Sequence, residues 1–275
     1  MPTKRIFRFG RRSIRSLRRR ALRLLYGPPP PEAPHFAPSW KSQLIAKFVT
    51  ANDGDFIDVG ANTGQTLLEF LVADTASRYI GFEPNPEAFA VLFAADTGAK
   101  PGNRLILPFG LSDKTERVDL YAKRGILADS TASVIADLRP GRRVRRIPVF
   151  CYRFDDLRDF LGIRAISLIK IDVEGAELAV LRGMAATIRE LRPPILCEIL
   201  YADVNADLTR FAATMQEISG LLADLNYRIH RIKKNDDDFS DLEELRSLPV
   251  CVWTAENAGE CDYLLLPGEK RAAFA

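Results

Sequence analysis

Along the middle of the chain, short apolar runs alternate with helix-patterned stretches. Phe56–Val59 is a buried-strand run, and Gly64–Ala76 repeats its leucines at helical spacing. Arg78–Glu83 then reads as a strand and Pro86–Asp96 as a helix, with Pro86 suited to a first helical turn. Arg104–Leu111 is a third strand, and Ile166–Ile171 a fourth, followed by a helix over Ala176–Glu190. Ile195–Leu200 is a fifth strand, Leu208–Leu225 a helix, and Tyr227–Ile232 and Tyr263–Leu266 complete a set of seven strands. Strands separated by helices lie parallel and are joined by crossovers. The predicted class is therefore α/β: a doubly wound, mostly parallel, seven-stranded sheet with helices on both faces. Val118–Ala122 and Arg145–Phe150 fall outside the rhythm and read as an inserted hairpin, with a short helix at Asp155–Leu161. The polar run Asn235–Asp241 reads as a solvated loop.

Charge divides the chain. Residues 1–26 hold ten Lys/Arg and no acid, whereas residues 27–275 hold 29 bases and 36 acids, a net of −7. The head is basic and the body acidic, which argues against a nucleic-acid protein as a whole. In the head, Ile6, Phe9, Ile14, Leu17, Ala21, Leu24 and Leu25 fall near one helical face among arginines. Such an amphipathic arm suits an anionic membrane surface; an arm that touches nothing is the alternative. Residues 27–38, with the run Gly27–Pro34, form a stiff proline-rich linker, and the folded domain is expected over 39–275. No eighteen-residue apolar run exists for a spanning helix. Cys151, Cys197, Cys251 and Cys261 lack metal spacing and read as reduced, mostly buried thiols. A cytoplasmic location is expected, with the arm placing the chain at the inner face of a membrane.

In an open α/β sheet, ligands bind beyond the carboxyl ends of the strands. Four strand ends carry polar clusters: Asp58-Val59-Gly60, Glu83-Pro84-Asn85, Gly110-Leu111-Ser112-Asp113 and Asp172-Val173-Glu174-Gly175. Gly60 and Gly64 permit a tight turn with close backbone approach. Glu83, 23 residues after Gly60, stands where an acid accepts both hydroxyls of a ribose. These features call for a nucleoside without choosing between NAD and others. The spacing is Gly-x-x-x-Gly, however, without the central glycine that admits a pyrophosphate. Asp58, just before the turn, suits a ligand bearing an amine. Lys170 and Asp172 point to the same side of their strand, and Asp172, Glu174 and Glu177 crowd within six residues. Such acids repel unless they bind a cation or hydroxyls, share a proton, or meet an arginine. Glu177 also fits as a helix-start acid.

Assembled, the motifs "FIDVGANTGQ", "GFEPNPEAF", "GLSD", "DSTASV", "FDDL", "LIKIDVEGAELAVLRGM" and "CEI" resemble the FkbM-type methyltransferases. They occur in family order over about Asp55–Leu200. The resemblance implies a Rossmann-like class I methyltransferase fold and S-adenosylmethionine as cofactor. It also implies that Asp58, Gly60, Asn62 and Gly64 surround the methionine part, that Glu83 holds the ribose, and that Ser112 and Asp113 lie near adenine. Asp172 and Glu174 would face the methyl group and the acceptor, a hydroxyl of a sugar, glycan or glycolipid. Asp172 or Glu174 would serve as proton acceptor, with Glu198 as a further candidate, and a divalent metal held by these acids is an alternative way to activate the hydroxyl. Polyketide, peptide or small-metabolite acceptors, an NAD-type oxidoreductase or epimerase, and a non-catalytic binding module are the competing readings. Oligomeric state is not encoded in these patterns. Deleting residues 1–34 is expected to weaken co-sedimentation with anionic vesicles while leaving cofactor affinity unchanged; equal sedimentation of the two forms would remove the membrane role of the arm.

Overall fold

A computed structural model describes residues 39–72, 77–95, 103–136, 138–235 and 238–270. The basic arm and the proline-rich linker lie outside the described residues.

The main sheet follows directly from the buried runs. Its strands are β1 (Asp55–Val59), β2 (Tyr79–Phe82), β3 (Arg104–Leu107), β7 (Ile166–Ile171), β8 (Ile195–Glu198), β9 (Tyr227–Asn235), β10 (Asp238–Leu245) and β11 (Asp262–Pro267). Their order is β10-β9-β11-β8-β7-β1-β2-β3. The five strands from β8 to β3 pair in parallel, and β11 runs antiparallel between β8 and β9. The order reverses at the β1–β7 junction, where the chain leaves β3 and re-enters beside β1. Such a switch point opens a crevice between diverging crossovers.

Helices cover both faces. Strand residues alternate between two cores, as a period of two requires. Phe56, Tyr79, Leu168, Leu196 and Leu264 face a core shared with α1 (Trp40–Ala51), α2 (Gln65–Val72) and α3 (Pro86–Ala95). Ile57, Ile80, Ile169, Ile195 and Leu265 face the other, shared with α4 (Phe154–Leu157), α5 (Glu177–Gly183), α6 (Ala185–Leu191) and α7 (Leu208–Asp224). Ser39 caps α1 and Asp207 caps α7 by accepting first-turn amides. Among the described residues no helix is long and apolar enough to cross a membrane.

A small second sheet holds β4 (Gly110–Leu111), β5 (Glu116–Lys123) and β6 (Val144–Tyr152) in the order β4-β6-β5. The expected hairpin is β5–β6, longer than anticipated. The expected single strand Arg104–Leu111 is divided. Pro108 has no N–H to continue a ladder, and past it Gly110–Leu111 leaves the main sheet to pair with β6.

Three further expectations are corrected. The helix expected over Ala176–Glu190 is two helices, broken at Met184, whose φ of −110° and ψ of 2° are not helical. The fifth strand stops at Glu198. The supposed solvated loop Asn235–Asp241 instead ends β9 and begins β10, an eighth strand. A register shift between Phe239 and Asp241 interrupts simple alternation, so the run shows no period of two. Phe239 and Leu242 nonetheless reach the α1 core, while Glu243 lies opposite Arg231 and forms an ion pair with Lys233 at 2.7 Å.

Candidate active site

At the switch point, the end of β1 turns sharply. Gly60 adopts φ +80°, and a Cβ there would stand 1.9 Å from the Asp172 carbonyl oxygen. Only glycine lets the β1 and β7 ends approach this closely. Beneath the turn lies Lys170, with its side chain 5% exposed. Its ammonium donates to the Gly60 carbonyl at 2.9 Å and stands 3.2 Å from Asp58 Oδ1 and 3.5 Å from Asp172 Oδ2. Burial pulls this ammonium down, but the charges of Asp58 and Asp172 outweigh it and hold it charged, above its ordinary range. Asp58, fully buried, also accepts from the Tyr79 hydroxyl at 2.5 Å. Asp58 therefore anchors the turn from below and does not face the cleft. In the sequence Asp58 suits a ligand amine; the amine it meets in this structure is that of Lys170.

Above the turn is an open cleft of about 640 Å³, lined by Gly60, Asn62, Glu83, Asn85, Gly110 and Asp172 among others. Glu83 Oε2 accepts the Asn62 amide and Oε1 the Asn85 amide, both at 2.7 Å. One carboxylate thus joins the loops after β1 and β2. Burial pushes Glu83 up to about 7 despite these two amides. Asn62 sits at φ +49°, an αL conformation that asparagine tolerates.

Asp172 and Glu174 both line the cleft. Asp172, with its side chain 30% exposed, is oriented by Lys170. Glu174 is paired with Arg139. Burial raises its pKa and Arg139 opposes the rise. Glu177 begins α5 and accepts the Gly175 amide at 2.9 Å, the helix-start role open to it in the sequence. Glu198 is not among the lining residues; burial, then the charges of Asp172 and Asp262, push it up to about 8. Gly64, Ser112 and Asp113 are also absent from the lining. Gly64 immediately precedes α2, its carbonyl accepting the Leu68 amide, and the Ser112 backbone is packed against Gly183, where a Cβ would stand 2.0 Å from the Ser112 carbonyl oxygen. Gly110 and Leu111 stand at the cleft in place of Ser112 and Asp113.

The segment between β5 and β6 forms one wall. Ser133 Oγ donates to the Glu174 carbonyl at 2.6 Å, and the Ala128 amide donates to Glu87 at 3.0 Å. Arg145 pairs with Glu87 as well. Asp129 is drawn up by burial but held below its ordinary value by the Lys123 and Thr131 amides and the Thr131 hydroxyl. Neither Arg139 nor this wall was identified as part of a site in the sequence; the "DSTASV" match was the one signal toward it.

The model of the methyltransferase FkbM domain matches residues 58–229. The chain belongs to the FkbM methyltransferase family. It is 27% identical over 182 residues to the hexuronic acid methyltransferase AglP of Haloferax volcanii, covering 65% of this chain and 70% of that protein. It is 28% identical over 159 residues to the 2-O-methyltransferase NoeI of Sinorhizobium fredii, covering 54% of this chain and 64% of that protein. A crystal structure of an FkbM methyltransferase from Methylobacillus flagellatus aligns with a TM-score of 0.44 at 19% identity, over 68% of this chain and 42% of that one.

Removing the buried cation should test the switch-point network of this family member. Lys170→Met is expected to cost roughly 3–5 kcal/mol, because Asp58 stays buried without a counter-charge. The double change Asp58→Asn/Lys170→Met should recover part of the loss. Urea denaturation reads both, and a Lys170→Met variant as stable as the parent would show that the pair does not hold the turn.

Proposed function

We propose that this FkbM family member transfers a methyl group from S-adenosylmethionine to a hydroxyl oxygen of a saccharide, free or within a glycan or glycolipid. The observation that carries the cofactor reading is Glu83, which presents its two oxygens at the carboxyl end of β2, in the cleft, beside the Gly60 turn. Each oxygen holds one amide and keeps a lone pair for one of two neighbouring ribose hydroxyls. The close approach at Gly60 also fits a nucleoside-bearing cofactor, since it lets backbone come near a ligand in the cleft. In this reading Gly60 and Asn62 border the amino-acid end and Gly110 and Leu111 the base. When bound, S-adenosylmethionine supplies an electrophilic methyl carbon on a sulfonium.

Asp172 is the group best suited to take the acceptor proton. It opens into the cleft, and Lys170 fixes its carboxylate from behind. Glu174 is engaged by Arg139 and serves in this reading to orient that arginine. Glu198 feels the charge of Asp172 and is the further candidate, able to accept a proton only where it is ionised, above about pH 8. The saccharide reading is supported by the two curated relatives, one a hexuronic acid methyltransferase and the other a 2-O-methyltransferase.

Incubation of the purified protein with S-adenosylmethionine and candidate saccharides should give a product heavier by one methylene by mass spectrometry. Asp172→Asn should lose this product while still binding cofactor; full turnover would exclude Asp172 as proton acceptor. Binding of a nicotinamide dinucleotide in place of S-adenosylmethionine would overturn the cofactor assignment.

Glu83 also fixes a pH dependence. Its folded value of about 7 lies above its ordinary 4.5, so between these values the folded chain keeps a proton that the unfolded chain has released. Its contribution to stability is present below about pH 4.5 and fades as pH rises through about 7. Ribose hydroxyls donate to the ionised form, so cofactor affinity should strengthen as pH climbs through about 7. Glu83→Gln should flatten that dependence and weaken binding by about 1.5–3 kcal/mol. Calorimetric titrations across this range measure both.

A further inference from the structure

Behind the wall of the cleft lies a second hollow of about 310 Å³, lined by Lys123, Thr131, Arg139 and Arg142 among others. The segment from Asp129 to Ile135 contributes to the lining of both spaces. Ser130, Ala132 and Val134 line the cleft, whereas Thr131, Ser133 and Ile135 line the hollow. The hollow is basic within an acidic body. Residues 117–146 carry eight Lys/Arg against three Asp, while the rest of residues 27–275 has a net charge of −12.

Its cations are unevenly occupied. Arg139 donates to the Thr131 carbonyl at 3.0 Å and pairs with Glu174. Arg142 is exposed and reaches nothing nearer than the Thr131 hydroxyl, at 3.4 Å. Among the described residues no carboxylate pairs with Arg142 or Lys123. Among the described residues the one acid in the lining is Asp129, and its oxygens are engaged by the Lys123 amide and by the amide and hydroxyl of Thr131. An exposed guanidinium and an exposed ammonium without a carboxylate partner at the rim of a shallow, open hollow match a carboxylate or phosphate.

We propose that this hollow is an anion subsite, taking a carboxylate or phosphate carried by the saccharide acceptor, with Arg142 as its principal donor and Lys123 beside it. The proposal rests on the methyl-transfer reading for the identity of the ligand, but anion binding is testable without turnover. Arg139 connects the subsite to the cleft wall, donating to the Thr131 carbonyl and pairing with Glu174.

The intact protein should be titrated with glucuronate, glucose 6-phosphate and methyl glucoside by ligand-observed NMR, without cofactor. The anionic sugars should bind at least about tenfold more tightly than the neutral one, the margin of one charge-assisted hydrogen bond. Arg142→Glu should abolish that margin, Arg142→Lys should keep part of it, and Arg246→Glu, an exposed charge change outside the insert, should leave it intact. The stronger of glucuronate and glucose 6-phosphate identifies carboxylate or phosphate as the preferred group. Equal binding of charged and neutral sugars, or anion binding unaltered by Arg142→Glu, overturns the subsite. A separate calorimetric titration with S-adenosylmethionine tests the methyl-transfer reading: absence of cofactor binding with a retained anion margin would sink that reading and leave the subsite standing.

Discussion

The architecture depends on one buried ammonium. Lys170 ties the Gly60 carbonyl, Asp58 and Asp172 together where β1 and β7 part. Desolvating a lysine is costly, and one carboxylate would compensate only in part. Here two carboxylates and a carbonyl share the task, and Tyr79 satisfies the remaining side of Asp58. The result is a turn with little freedom to slide, and the cleft is built directly upon it.

Glu83 extends this constraint to the neighbouring strand, since one carboxylate accepts amides from both loops. The β5–β6 insert then closes the site by three contacts: the Ser133 hydroxyl to the Glu174 carbonyl, the Ala128 amide to Glu87 at the start of α3, and Arg139 to the Glu174 carboxylate. Five of the six groups in these contacts are charged or are backbone carbonyls and amides. The cleft is thus shaped mainly by directional interactions, whereas the two cores beneath it supply the non-directional stability.

Much of the fold was legible because buried strands are short apolar runs and their helices repeat at a different period. The polar residues at strand ends were equally legible, as they interrupt those runs at equivalent places. What escaped were features set by tertiary contact. The polarity of Asn235–Asp241 concealed β10, since its ladder is stabilised by cross-strand charges and its alternation is broken by a shifted register. Asp58 looked like a group awaiting a ligand, because no local pattern reveals that it meets Lys170 across adjacent strands. Arg139 was invisible for the same reason: its partner Glu174 lies 35 residues away in the chain.

The partition from Ser130 to Ile135 has one side chain per space in strict turn. Its even-numbered positions shape one chamber and its odd-numbered positions the other. Exchanges at 131 or 135 therefore change the lining of the hollow and leave the lining of the cleft as it is, so the two spaces can be altered one at a time through a single segment.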